Sequence, residues 1–443
     1  MFLVVLAAMG SACVGTGRRL DVPADRVRAP SAPAFNDRRF SYSGLSDYYT
    51  IGNALTPGRD TLTLTVTPLA DARPTVIHGW IDRSVRMRPT AGSDGAFTLT
   101  ADISALGPGE HQILVAADSE AAAFARLTFF RTHPLYVVVS SDWDDADIPD
   151  ISLEVQEGLR TKHPDLVLTH FIGPYTFTDP ALGEERRAFL ASWAVRMRET
   201  FGDEIGMHLH PWCHFVERTA VPCRASPSTV SPTGDRSGYS VVLASYDEKE
   251  AIAMLAEAKR IFAARNLGTP TSFRAGGWTL GLDTVRALAA SGFLVDSSAN
   301  SWARLAAEWA GHELYEWNMT HWAPIGDTSQ PWYPSAANLL SNTAPTLPVL
   351  EVPDNGSLVD YITAGEMIDV FTKNWTGRPG ALTEPRQLSI GYHPTTLFRS
   401  DFEARLDSAL RHIDRYQAKD GAGPVVYTRL SDLTKVWHFG RLR

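Results

Sequence analysis

Two rhythms of apolar and polar side chains divide this chain. Between residues 34 and 131 the two kinds alternate singly, as in Thr61-Leu62-Thr63-Leu64-Thr65-Val66 and Ala96-Phe97-Thr98-Leu99-Thr100-Ala101, which puts every apolar side chain of an extended segment on one face. Pro57-Gly58, Ser93-Asp94-Gly95 and Gly107-Pro108-Gly109 interrupt the runs. Short alternating strands broken by turn residues predict a small all-β sandwich over 34–131. From residue 134 the apolar runs become continuous: Leu135-Tyr136-Val137-Val138-Val139, Leu166-Val167-Leu168, Phe293-Leu294-Val295 and Val425-Val426-Tyr427. Such runs suit parallel strands buried on both faces. Helical stretches at 184–201 and 248–265 lie between them, and the alternation predicts an α/β fold, a distorted (β/α) barrel over 134–440. The Trp-, Asn- and Pro-rich stretch 302–348 predicts an insertion of long loops.

Composition changes this picture little, except at the N-terminus. The 443 residues carry 41 basic and 50 acidic side chains, a net charge of −9. No basic cluster is present to neutralise phosphates, so nucleic acid is not the expected partner. The apolar run 2–9 is too short to span a bilayer but suits a signal peptide over 1–13. Gly10-Ser11-Ala12-Cys13 resembles a bacterial lipoprotein processing site, which makes Cys13 the expected lipid anchor, residues 14–33 a Pro- and Arg-rich tether, and the protein exported to the cell envelope or secreted. Membrane contact is expected only through that lipid. In an oxidising compartment Cys213 and Cys223 either close a disulfide or remain two separate buried thiols.

Chemistry in a parallel barrel sits on the loops after the strands, and five such places carry polar residues. Ser140-Ser141-Asp142-Trp143-Asp144-Asp145 crowds three carboxylates into four residues, an arrangement that a cation or a shared proton must relieve. In Met207-His208-Leu209-His210-Pro211-Trp212-Cys213-His214, His208 and His210 face the same way along an extended chain and can converge on one metal; His210 and His214 can do so if the segment turns helical. Arg274, in Phe273-Arg274-Ala275-Gly276-Gly277, can hold a carboxylate. Asp296 ends another apolar run, as a tie for that Arg or as a cap. His393, after Leu388-Ser389-Ile390-Gly391-Tyr392, suits a general acid.

Together these segments resemble the NodB-type polysaccharide deacetylases of carbohydrate esterase family 4 and its relatives, over essentially all of 134–440. Asp144-Asp145 resembles that family's Asp-Asp pair, Thr169-His170-Phe171-Ile172-Gly173 its second strand, and Asp203-Glu204-Ile205-Gly206-Met207-His208 the approach to its first histidine ligand. The family's second histidine falls where this chain has Trp212, and His-Leu-His-Pro-Trp instead resembles a divergent branch.

The resemblance implies a NodB-type barrel and removal of N-acetyl groups from an acetylated polysaccharide or peptidoglycan-like glycan. It implies a divalent metal held by Asp145, His208 and His210, with His214 and Asp142 in reserve. Zinc suits this donor set best, and iron, cobalt or nickel also bind it. Asp144 would be the base, Arg274 its orienting partner, His393 the acid and Asp296 a supporting acid. Trp212, Trp278, Trp332 and Tyr333 are candidate sugar platforms. Two other readings stand beside this one: a non-catalytic glycan-binding surface lipoprotein on the same scaffold, and a hydrolase of a non-sugar C–N bond.

Overall fold

The computed structural model describes residues 29–69, 72–118, 122–224, 242–377 and 379–440. The leader 1–13 with Cys13, and the tether as far as residue 28, lie outside the described residues. Ala29 already packs with Trp80, Leu114, Ala116 and Ala123.

Eight strands form the first half of the fold: β1 (Phe40–Ser43), β2 (Tyr48–Thr50), β3 (Thr61–Pro68), β4 (Ile77–Ile81), β5 (Val85–Ala91), β6 (Phe97–Asp102), β7 (Gly109–Ala117) and β8 (Ala123–Thr132), in the order β1-β3-β6-β5-β4-β7-β8-β2. β5 joins two layers, because residues 85–87 pair with β4 and 88–91 with β6, a strand that switches sheets at a corner. Leu62, Leu64 and Val66 turn inward to meet Leu99 and Phe129, as the single alternation requires.

The second half is a parallel sheet of β9 (Leu135–Asp142), β10 (Leu168–Ile172), β11 (Glu204–Leu209), β12 (Ser272–Ala275), β13 (Val295–Asp296), β14 (Leu350–Glu351) and β15 (Arg386–Tyr392), ordered β14-β13-β12-β11-β10-β9-β15, with β16 (Val425–Tyr427) paired to the start of β9. Every residue of β9, β10 and β11 is buried, which explains the continuous run Leu135–Val139 at the start of β9. Helices Glu184–Phe201 and Glu248–Ala264 pack apolar stripes on the sheet's outer face. Capping boxes at Asp247/Glu250 and Thr363/Glu366 start two of the helices by satisfying amides that the first turn leaves unpaired.

β14 and β15 do not pair directly, and the segment 352–359 closes the gap. On one side the amides of Val352 and Asp354 donate to Asp296 O (2.8 Å) and Ala299 O (2.7 Å); on the other, Gly356 N donates to Ser389 O (2.8 Å) and Val359 N to Gly391 O (2.9 Å). A side chain at Gly356 would place its Cβ 2.4 Å from Ser389 O, so this closure requires glycine. The insertion expected as loops instead carries short helices at Trp302–Leu305, Ala306–Trp309 and Glu313–His321, because its Trp and Leu side chains recur at helical spacing and are buried against the barrel.

The barrel end away from the strand C-termini is filled by Leu430, Leu433 and Trp437 against Tyr136 and Val138. The sandwich reaches this same end: Leu55 packs on that cluster, and the Tyr136 hydroxyl donates to Asn53 Oδ1 (3.0 Å) and lies 2.9 Å from Thr56 Oγ1.

Candidate active site

At the opposite end, where the parallel strands finish, a cavity of about 370 Å³ opens. Strand alternation builds its floor. Along β9, Ser140 and Asp142 face the barrel interior, whereas Ser141 points outward, 2.8 Å from His170 Nδ1. On the neighbouring strands His208 and Arg274 are register partners.

Arg274 is almost wholly buried. Its Nη1 donates to both oxygens of Asp142 (2.9 and 3.1 Å) and to Ser140 Oγ (2.9 Å), while Nε and Nη2 donate to Ser297 O and Oγ (2.9 Å each). Asp354 lies 3.4 Å from Nη1. Burial works against the guanidinium charge, but Asp142 and Asp354 outweigh it and move the pKa up. This corrects the expectation that Arg274 serves Asp144. The guanidinium lies level with the last residues of β9, and Asp144 stands beyond the strand's end.

Asp144 meets three imidazoles instead. Its Oδ1 lies 2.8 Å from His208 Nε2 and 3.3 Å from His210 Nε2, and its Oδ2 lies 3.2 Å from His393 Nε2. Burial alone would raise Asp144, yet His393, His210 and His208 hold it well below the usual carboxylate range. His208 Nδ1 sits 3.0 Å from Arg274 O; with the proton on Nδ1 and donated to that carbonyl, the Nε2 lone pair faces Asp144. His210 Nε2 is buried without a hydrogen-bond partner. One oxygen of Asp144 and one nitrogen each of His208 and His210 lie within 4.8 Å of one another. Three ligand atoms gathered this closely suit a divalent cation, and two imidazoles with one carboxylate are a zinc-type donor set. The residues therefore fit the metal that the sequence implies.

Asp145, expected as the carboxylate ligand, is outside this trio. It lines the cavity but bonds to Thr395, because one step along the chain turns its side chain another way. Burial and the charge of Asp144 push its pKa up.

Gly276 makes room for His210. A Cβ there would fall 2.3–2.4 Å from three ring atoms of His210. Gly276→Ala is expected to displace the ring and weaken Zn²⁺ binding by about 10–100-fold, the usual cost of disturbing a ligand's support; calorimetric titration of metal-free protein measures this.

His393 is held from behind. Its Nδ1 lies 3.3 Å from Asp360 Oδ2, and its amide donates to the same oxygen at 3.1 Å. Asp144, Tyr361 and Asp360 raise the His393 pKa well above its ordinary value, although burial opposes the charged form. Asp360 escaped the sequence reading because it follows no apolar strand pattern. Asp354 carried a usable signal, an acid three residues beyond the run Val349-Leu350-Glu351.

The other expected site residues lie elsewhere, with one exception. Asp296 does not line the cavity; its carboxylate accepts from Ser298 Oγ (2.8 Å) and Ser298 N (3.1 Å) beside Glu351. Burial pushes both carboxyls up, Glu351 further because Asp296 stands beside it. The pair fixes the turn after Arg274, since Ser298 Oγ also accepts from Ala275 N at 2.9 Å. His214 turns to Thr178 Oγ1 (2.9 Å) and stacks with Trp212. Trp332 donates to Leu339 O (3.0 Å), and Tyr333 to Trp437 O (2.7 Å) near the far end of the barrel. The exception, Trp278, lines the cavity with Trp302, Trp309 and Tyr361. Cys213 and Cys223 form a disulfide with Cα atoms 5.3 Å apart, tying the segment that follows the two histidines.

No family model and no curated protein matches this chain. Solved structures do. A polysaccharide deacetylase described as putative, from Mycobacterium smegmatis, is 13% identical over 68% of this chain and 89% of its own, with a TM-score of 0.41. A probable polysaccharide deacetylase from Pseudomonas aeruginosa is 15% identical over 69% and 92%, with a TM-score of 0.41. The allantoinase PuuE is 14% identical over 69% and 91%, also at 0.41. Likenesses this distant assign neither substrate nor chemistry.

A second polar line, Ser141 Oγ to His170 Nδ1 and His170 Nε2 to Asp203 Oδ2 (3.0 Å), has the atom order of a nucleophilic triad. All three residues are fully enclosed and none lines the cavity. Arg160 also donates to Asp203, so this line braces the outer face of β9.

Asp354 predicts a pH effect on stability. Burial, the first cause, raises it to about 6, with Arg274 opposing and Asp142 adding to the rise. An acid whose pKa is higher folded than unfolded contributes stability that is present at low pH and lost as pH climbs from about 4 to about 6, here by about 3 kcal/mol. Denaturant titrations of metal-free protein across that range are expected to show a loss smaller by about this amount in Asp354→Asn than in wild type, the remainder coming from the other raised carboxyls Asp145, Asp296 and Glu351.

Proposed function

We propose that this chain is an exported metal-dependent hydrolase that removes N-acetyl or similar acyl groups from sugars of an extracellular or cell-envelope glycan. One observation carries the reading: Asp144, His208 and His210 bring one ligand atom each within 4.8 Å of one another on the cavity floor, flanked by the Asp142–Arg274 pair and the His393–Asp360 pair. The motif resemblance supports it, and the Cys213–Cys223 disulfide supports an oxidising compartment.

A divalent ion held by Asp144, His208 and His210, zinc before iron, cobalt or nickel, supplies Lewis acidity toward an acyl oxygen and acidifies a water. Asp142, aimed by the guanidinium of Arg274, takes a proton from the water that attacks the acyl carbon. His393, held at Nδ1 by Asp360, gives its Nε2 proton to the departing nitrogen. The C–N bond breaks, leaving a carboxylic acid and a free amine. Trp278 and its aromatic neighbours offer flat apolar faces to the C–H surface of a sugar ring.

The test is acetate release by zinc-loaded protein from N-acetylated amino-sugar oligomers, O-acetylated xylo-oligomers and small amides. Release from the N-acetylated sugars is expected. Release from small amides alone, or from none, would overturn the reading.

A further inference from the structure

We infer that the cavity receives a single terminal or free N-acylated sugar ring and excludes internal residues of a long glycan. This rests on the hydrolase reading above and narrows its substrate. An enzyme that works along a polymer needs a trough open at both ends, so that the rings before and after the reacting one can continue outward. One flank of this cavity is instead a wall. Four aromatic rings close a cycle on one side: Trp278 to Trp302 at 5.4 Å, Trp302 to Trp309 at 6.0 Å, Trp309 to Tyr361 at 5.8 Å, and Tyr361 back to Trp278 at 6.3 Å. Each ring stands steeply to the next, at 63° to 89°. All four line the cavity.

The wall is rigid. Trp278 adopts a left-handed backbone with φ 55°, which costs a bulky residue on the order of 1–3 kcal/mol and persists only where the surroundings impose it. Those surroundings are visible: its Nε1 donates to Asp354 at 3.0 Å, and its carbonyl accepts from Trp322 Nε1 at 2.9 Å. Trp302 and Trp309 belong to the helical insertion between β13 and β14 and are almost fully enclosed by their own packing. Across the cavity, Pro211 stands just before the turn that the disulfide ties down.

Size agrees with a small occupant. About 370 Å³ is near the lower end of the roughly 300–1,000 Å³ of small-molecule sites, space for one ring and its acyl group without neighbours on both sides. Perpendicular aromatic rings also match a sugar residue that inserts end-on, with apolar C–H surface presented to more than one wall.

The experiment uses full-length zinc-loaded protein with N-acetylglucosamine, its 1,4-linked dimer to hexamer, and the long soluble polymer of the same unit, at equal acetyl concentration. Tandem mass spectrometry locates the new amine. The expected result is a kcat/KM at least about tenfold higher on the monomer to trimer than on the polymer, with amines confined to chain ends; that ratio is about 1.4 kcal/mol of discrimination. Amines at internal positions, with rates per acetyl group independent of length, would overturn the inference and leave the hydrolase reading standing. Release from none of the three would overturn the hydrolase reading, and the inference with it. Trp309→Ala removes one side of the wall and is expected to bring the ratio down about tenfold. Trp309→Phe, which keeps an aromatic ring for folding, is expected to move it in the same direction by less.

Discussion

Asp144→Ala is expected to strip the protein of its metal and lower turnover by about 10³-fold or more, whereas Asp145→Ala keeps the metal. Asp144 is the carboxylate whose oxygen lies within reach of both His208 Nε2 and His210 Nε2. Without it two imidazoles remain, too few for tight binding of a divalent ion at neutral pH. The same substitution takes from His393 its nearest acceptor, at 3.2 Å, so orientation of that imidazole suffers as well. Elemental analysis of the two purified variants, beside acetate release, separates the roles. Metal lost from Asp145→Ala and retained by Asp144→Ala would reverse the assignment.

Asp142→Asn is the second large effect, and its signature is different. An amide keeps the shape of the carboxylate and can still accept from Arg274 Nη1, so fold and metal content are expected to survive. A general base typically contributes 10²–10⁴-fold, and kcat is expected to fall by about that much with KM little changed. Arg274→Leu, by contrast, leaves Asp142 and Asp354 buried without their shared cation, which is expected to cost about 3–5 kcal/mol of folding stability. Wild-type kcat in Asp142→Asn would remove Asp142 from the reaction.

Much of the scaffold is legible in the sequence because burial has a simple signature in strands. Thr61-Leu62-Thr63-Leu64 alternates because one face of β3 meets the sandwich core, and Val137-Val138-Val139 does not alternate because both faces of β9 are covered. The pairing of His208 with His210 is legible for the same reason: they stand two residues apart at the end of one strand. His214 is separated from them where Pro211 begins a turn and a short helix, Cys213–Val216, carries its ring to Thr178.

Which of three crowded carboxylates meets Arg274 is a different matter. Asp142, Asp144 and Asp145 occupy four positions, and their roles depend on β9 ending at Asp142, a boundary that hydrophobic pattern places only to within a few residues. Tyr361 reaches the cavity, and Asp360 the back of His393, from the chain just after the stretch 352–359 that closes the barrel, while Trp302 and Trp309 reach it from the insertion's short helices; tertiary contacts set these paths. The Trp-, Asn- and Pro-rich stretch 302–348 reaches the cavity through Trp302 and Trp309, not through Trp332 and Tyr333. Trp332 and Tyr333 are half-buried and direct their polar atoms to backbone carbonyls, and composition alone does not separate a packed aromatic from one that faces a cavity.

The most direct measurement is a zinc titration of chelator-treated, full-length protein, with bound metal and acetate release from an N-acetylated amino sugar followed in the same samples. One equivalent of zinc is expected to bind per chain, with activity rising in proportion and both absent in His208→Ala and His210→Ala. Full acetate release from metal-free protein, or zinc bound at one equivalent with His208 and His210 both replaced, would contradict a metal site built on these histidines.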